Sequence, residues 1–341
     1  MFSRLFRSAP ARPAGPAAPP LDLDPALDDH QLRAAISRAA AGDWTAARDV
    51  VAAAGSDWEL RGRRIGLLGG AATDGDAWLY DWLRAAPEDP AAVSIQASML
   101  NSRAGDARGS APADQTSAEQ FQAFAALSDA AAEVSRRAVA LAGPYDPTPY
   151  VELLDAMFAD GRVQSPEFRD VLAEARRRDP FHFDLHVTLV SLLCEKWYGS
   201  HEQMFQAARE VSAAAPAGSN TVMMPFLAHF EYAMREFSWN KSTGQSVADT
   251  AMYFQRPEVQ RELDACAAKW RAGPHGPSRA MTCRNWLALY YFLSNRPEEG
   301  RQMFAEIGPY AGSTIVWAYF LGTVENGFSA AWRFCHRAVP G

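Results

Sequence analysis

The stretch Asp179–Ala214 constrains the fold most, because it reads as two helices hinged at Trp197-Tyr198-Gly199-Ser200. Leu185, Leu189, Leu192 and Leu193 recur at i, i+4, i+7 and i+8, so one face of the first helix is apolar. Pro180 suits a first helical turn, where a missing N–H leaves no bond unmade, and Asp179 before it is placed to cap. Gly199 is expected to end that helix in a left-handed conformation. Ser200 and Gln203 form an S-x-x-Q capping box for the second helix, whose apolar stripe is Met204, Phe205, Ala208 and Val211. It runs out at Ala215-Pro216-Ala217-Gly218. Two antiparallel helices on a short turn cannot bury both their faces alone, so the pair demands neighbours.

The rest of the chain offers them. A turn and second-helix start lie at Gly42-Asp43-Trp44-Thr45-Ala46-Ala47. Ser56 and Glu59 read as a capping box ahead of Leu60, Ile65, Leu67 and Leu68. Gly62 and Gly66, four apart, predict a close-packing notch, and no strand precedes them as a phosphate loop would need. Trp78 with Trp82, and Leu79 with Leu83, sit at helical spacing and suit a core or a groove wall. Glu88-Asp89-Pro90 starts a helix that fades at Asn101, and the Gly/Ser/Asp-rich residues 101–117 read as a flexible loop. The apolar series Phe121, Phe124, Leu127, Ala131, Val134, Ala138, Leu141 then predicts a long helix stopped by Gly143-Pro144.

Residues 222–235 are apolar on several sides, as in a buried helix, whereas 236–250 are polar and read as a loop. Pro257 opens a helix carrying Val259, Leu263, Cys266 and Trp270. Trp286, Leu289, Tyr290 and Leu293 mark another, and Asn295–Glu299 turns into its partner with Met303, Phe304 and Ile307. Trp317 to Arg337 reads as one or two capping helices. Counting from Pro147 to Pro180 gives 33 residues and from Pro180 to Pro216 gives 36. These bracket a helical-repeat period of about 34 residues.

Composition narrows the function classes. The net charge of -7 argues against a general nucleic-acid binder, which needs a basic face to displace phosphate counterions. The four cysteines, Cys194, Cys266, Cys283 and Cys335, are far apart with no C-x-x-C pair, so reduced, packed thiols in the cytoplasm are expected rather than structural zinc. No apolar run approaches the ~20 residues of a membrane span. Residues 1–27 read as a disordered, Ala/Pro-rich tail, and 28–341 as the helical domain. The tail carries Phe2, Leu5 and Phe6 with Arg4 and Arg7 beside them, which suit a short docking peptide, a weak surface anchor or an idle terminus.

Gly42–Ala54 and Trp286–Ile307 resemble tetratricopeptide repeats. The segment Lys196-Trp197-Tyr198-Gly199-Ser200-His201-Glu202-Gln203-Met204-Phe205 is similar to one in a family of uncharacterised, tetratricopeptide-like bacterial proteins, over roughly residues 85–338. The resemblance implies an all-α, right-handed α/α solenoid of helical hairpins, and it implies no activity. Tyr290 departs from the pattern, standing where a small residue is preferred.

Five residues carry the candidate binding chemistry. His182 and His186, at i and i+4, could share a metal as in H-E-x-x-H, although Phe183 stands where the general-base glutamate would be; the alternative is a pair of polar surface positions near a helix start. His201, His229 and Glu231 could complete a ligand shell if neighbouring hairpins bring them close. Arg178, last of three arginines at a helix C-terminus, either complements the helix dipole or binds phosphate. Trp197 and His201 flank the hinge, as a wedge between helices or as a ligand platform. No catalytic motif or cofactor fingerprint is present, and no cofactor is expected.

The expectation is therefore a cytoplasmic interaction scaffold that binds a protein or peptide in its groove. A metal-dependent or nucleotide-handling enzyme using His182 and His186, or a self-assembling partner subunit, are the alternatives.

Overall fold

The structure, a computed structural model, describes residues 18–109, 115–159, 161–238, 243–312 and 316–337. Phe2, Leu5 and Phe6 lie outside the described residues. The chain runs as α1 (His30–Ala40), α2 (Trp44–Ala52), α3 (Trp58–Asp74), α4 (Ala77–Ala85), α5 (Pro90–Arg108), α6 (Ala118–Leu141), α7 (Thr148–Ala159), α8 (Pro166–Arg178) and α9 (Phe183–Leu192). It continues as α10 (His201–Ala214), α11 (Met224–Ala233), α12 (Thr243–Phe254), α13 (Pro257–Arg271), α14 (Pro277–Leu293), α15 (Pro297–Ile307), α16 (Val316–Leu321) and α17 (Val324–Cys335). Among the described residues there is no β-strand, so the fold is all-α.

Local chemistry starts these helices. Asp29, Asp57, Asp89, Ser117, Ser165, Ser200 and Thr323 each accept a first-turn N–H with the side chain, satisfying donors that the helix cannot. Proline occupies the first turn of α5, α8, α11, α13, α14 and α15, where it sacrifices no bond.

Consecutive helices pack on one another, as in α1 on α2, α5 on α6 and α14 on α15. The ends of the chain also meet. Asp22 donates its N–H to Pro309 O at 2.8 Å, and its carbonyl accepts from Ala311 and Gly312 at 3.1 and 3.0 Å. Helix α14 packs against α3. Stacks in which each repeat touches only its neighbours make no such first-to-last contact. The apolar core falls into three clusters, built on α1–α5, on α6–α9 and on α9–α17; Leu27 belongs to the last of these although it precedes α1.

Several local expectations are corrected. Residues 21–27 are not a tail: Leu27 is buried, and Asp22 pairs with Arg33 at 2.6 Å. Residues 101–108 are not a loop but the last two turns of α5, where buried Ala104 holds the extension against the rest of the molecule. Residues 234–238 form a π-helical turn running on from α11, and α12 occupies 243–254, so the described residues of the polar 236–250 stretch are helical rather than a loop. Asp57, not Ser56, caps α3. His182, not Asp179, caps α9, while Asp179 accepts from Phe181 N. Gly199 is needed for proximity rather than for handedness: a Cβ there would lie 2.3 Å from Leu193 O.

Candidate functional site

Five helices converge on one cavity of about 450 Å³. Each contributes through helical spacing. Thr148, Val151, Glu152 and Asp155 stand at i, i+3, i+4 and i+7 on α7, and Ser98, Asn101 and Ser102 at i, i+3 and i+4 on α5. Asp184, Val187 and Thr188 repeat that spacing on α9, with the cap residue His182 beside them. Arg279 reaches in from α14, and Gly62 and Gly66 of α3 form the remaining wall. Gly62 lets α9 approach, since a Cβ there would lie 3.2 Å from His182 Nε2. Gly66 has open space where its Cβ would be, so its missing side chain is part of the cavity.

Carboxylates dominate the lining. Arg279 pairs with both oxygens of Asp184, at 2.5 and 2.6 Å. Burial alone would raise the Asp184 pKa, but the guanidinium overrides it and keeps the group below the ordinary aspartate range. Glu152 has no such partner; its Oε2 lies 3.3 Å from Asn101 Nδ2, and burial, reinforced by neighbouring Asp155, pushes its pKa up to about 8. Asp155 accepts from Thr188 Oγ1 at 2.6 Å, yet burial still pushes it up to about 7. Thr148 is 2% exposed, and its Oγ1 has no hydrogen-bond partner among the described residues. The cavity thus offers acceptors to a cation and hydroxyls to any hydrogen-bonding guest.

Aromatic rings gather beside the cavity. Phe158 lines the cavity, and the rings of Trp197 and Tyr198 meet it edge-on with centroids 5.2 and 6.0 Å away. Trp197 is 42% exposed and carries Arg108 over its ring at 5.7 Å, so the hinge tryptophan presents a face to solvent.

A second, larger cleft of about 720 Å³ lies along α10–α13. There His229 Nδ1 is 2.6 Å from Tyr253 Oη and its Nε2 is 3.5 Å from Glu262. Glu262 is already held by Arg209 at 2.7 and 2.8 Å. Burial would raise the pKa of Glu262, but Arg209 and His229 hold it down at about 2. In this cleft the partly buried acid, Glu262, has a guanidinium partner, which Glu152 and Asp155 of the smaller cavity lack.

The five sequence candidates separate accordingly. His182 and His186 are buried, correcting the surface reading. They also do not share a ligand position: His186 Nε2 is 2.8 Å from Pro180 O, and His182 Nε2 faces Trp58 O at 3.4 Å. Burial lowers the His186 pKa to about 4, so it is neutral and donates to that carbonyl. Arg178 makes internal contacts: it pairs with Glu174 at 2.8 Å and donates to Asp146 O at 3.0 Å and to Tyr150 Oη at 2.9 Å. His201 Nε2 lies 2.8 Å from Glu195 and 3.2 Å from Glu236, a trio with the donor chemistry of a metal site. Neither His229 nor Glu231 joins it; Glu231 pairs with Lys196 at 2.6 Å.

Sequence reasoning missed Glu152, Asp155 and Asn101. The signal was present as Thr148, Glu152 and Asp155 aligned on one face of an otherwise apolar helix. Reading 101–117 as a loop removed Asn101 and Ser102 from view. Compared with known protein families, with curated proteins and with solved structures, the chain matches none of them.

Proposed function

We propose that the protein is a cytoplasmic interaction scaffold of tetratricopeptide-like helical pairs that docks a segment of a partner protein across the carboxylate-lined cavity. One observation carries this reading. The cavity gathers two buried carboxyl groups with no basic partner, Glu152 and Asp155, beside a half-exposed aromatic pair, Trp197 and Tyr198. Buried carboxylates without a cation are unfavourable by themselves and become favourable on meeting one. Exposed aromatic rings supply the contact area that anchors a docked chain. The four free, buried cysteines are compatible with a reducing compartment.

Site-specific photo-crosslinking in cells tests the reading. A benzophenone side chain at Ser102 or Trp197 is expected to capture a defined polypeptide segment, and one at Tyr80, exposed on α4, is not. Equal capture from all three positions, or no polypeptide from any, would sink it.

A further inference from the structure

We propose that the cavity receives a basic side chain of the docked segment, its ammonium or guanidinium head seated between Glu152 and Asp155. This rests on the docking reading above and specifies what is docked.

Three observations carry it. First, the groups that face the two carboxylates are accounted for: Asn101 and Ser98 from α5, Thr188, His182 and Asp184 from α9, and Arg279 from α14. The only guanidinium among these is spent on Asp184 at 2.5 and 2.6 Å. Among the described residues, no lysine or arginine forms an ion pair with Glu152 or Asp155. Second, Thr148 Oγ1 is buried on the same wall with no partner, one turn of α7 before Glu152. Its free hydroxyl oxygen is a further acceptor for an N–H donor. Third, the walls are amphipathic. Val151, Val187 and Phe158 together with the open space at Gly66 suit the methylene stem of a long side chain, while the acceptors lie on the α5, α7 and α9 faces.

The chemistry implies proton release. Glu152 and Asp155 hold their protons to higher pH than ordinary carboxyls because burial disfavours the charge of both, reinforced at Glu152 by Asp155 and at Asp155 by Asp184. A cation entering between them stabilises both ionised forms, so protons pass from the carboxyls to the buffer as the head group binds. Uptake is expected to be tighter at pH 8 than at pH 6.

The test is a titration of the full chain with N-acetyl-lysine methylamide, its arginine analogue and its norleucine analogue in amine-free phosphate buffer. Carboxyl carbon shifts of Glu152 and Asp155 are the readout. The lysine or arginine probe is expected to move both signals towards the ionised position and to bind about tenfold more tightly than norleucine, the size of one charge-assisted hydrogen bond. Gly66→Leu, which fills the cavity, and Glu152→Gln/Asp155→Asn, which keeps its shape, are both expected to abolish the difference. Equal binding of norleucine, or no carboxyl shift with either basic probe, would overturn the proposal. Free cadaverine binding more tightly than the lysine probe would overturn the side-chain source and make this a diamine pocket. Probe binding with no crosslinked partner would refute the scaffold and keep the cation site; crosslinks without probe binding would do the reverse.

Discussion

Asn220 donates to Glu59 at 2.7 Å, tying the short turn before α11 to the first turn of α3 across 161 residues of chain. Ser278 at the start of α14 donates to the same oxygen. Glu59 is thus the acceptor that holds three distant segments together, and burial pushes its pKa above the ordinary glutamate value.

Replacing Glu59 by alanine leaves Ser278 Oγ without that acceptor and Asn220 Nδ2 with only Gly276 O at 3.1 Å. An unmade buried hydrogen bond costs about 1–3 kcal/mol. Urea unfolding of Glu59→Ala is expected to show a loss in that range, and Glu59→Gln, which keeps an acceptor oxygen, a smaller one. Equal losses would mean that volume rather than hydrogen bonding matters at this position.

The cavity carboxylates give stability a definite pH dependence. Glu152 titrates near 4.5 when unfolded and near 8 when folded, so between these values the folded chain holds the extra proton. Its contribution is complete below pH 4.5 and is lost as pH rises through about 8. Glu152→Gln removes the titration. The variant is expected to gain about 2–4 kcal/mol over the parent at pH 8 and almost nothing at pH 4, read from thermal melts in amine-free buffer. His186 runs the other way: held neutral by burial with a pKa of about 4, it contributes stability above its unfolded value of 6.5 that is lost as pH falls towards 4. A His186→Gln variant is expected to trail the parent at pH 7.5 and to close the gap at pH 4.5.

Neighbouring glycines of α3 make a sharp steric comparison. A Cβ on Gly69 would lie 2.6 Å from Ser98 Cβ and 2.9 Å from Met99 N, whereas one on Gly70 meets nothing within 4 Å. Gly69→Ala is expected to destabilise by about 1–3 kcal/mol through overpacking of α3 on α5. Gly70→Ala is expected to stabilise by up to ~1 kcal/mol through helix propensity. Chemical denaturation of the two variants side by side checks this, and a neutral Gly69→Ala would disprove the close approach.

Arg178 offers a test of a structural role in a residue that resembled a ligand site. It bridges Glu174 on its own helix to the carbonyl of Asp146 and the hydroxyl of Tyr150. Arg178→Ala is expected to cost about 2 kcal/mol, and Arg178→Lys to recover only part, because an ammonium cannot reproduce the planar fork. Phosphate at millimolar concentration is expected to leave the melting temperature of the parent unchanged.

The helices were legible where apolar periodicity coincided with a start or stop signal. Pro90, Pro257 and Pro297 open α5, α13 and α15 as their sequences imply, and α6 ends at Leu141 before Gly143-Pro144. Composition misled where polar residues face a cavity or another helix instead of water. Asn101, Ser102 and Gly105 look like loop residues, but α5 carries them to Arg108. The site was half legible: His182 was singled out as a ligand partner of His186, whose ring turns to Pro180 O instead, but it does line the cavity. Glu152 and Asp155 went unremarked because their significance lies in what α3, α5, α9 and α14 fail to supply, namely a cation. That deficit depends on contacts across more than a hundred residues, which spacing along the chain does not encode.

The meeting of the chain ends gives the last prediction. Ala311 and Gly312 donate their amides to Asp22 O, and Gly312, at φ 55°, lets the Leu27 side chain approach where a Cβ would lie 2.4 Å from its Cδ2. Leu27 packs in the same core cluster as Trp317 and Phe320 of α16. Deleting residues 1–27 therefore removes both the acceptor for two amides and a buried leucine, a truncation in the range of about 2–5 kcal/mol for the side chain alone. Hydrogen exchange at Ala311 and Gly312 is expected to accelerate strongly in the truncated chain, while amides of α6, whose buried residues belong to a different core cluster from Ala26 and Leu27, keep their protection. Unchanged protection at Ala311 would show that residues 21–27 contribute nothing to holding the C-terminal helices.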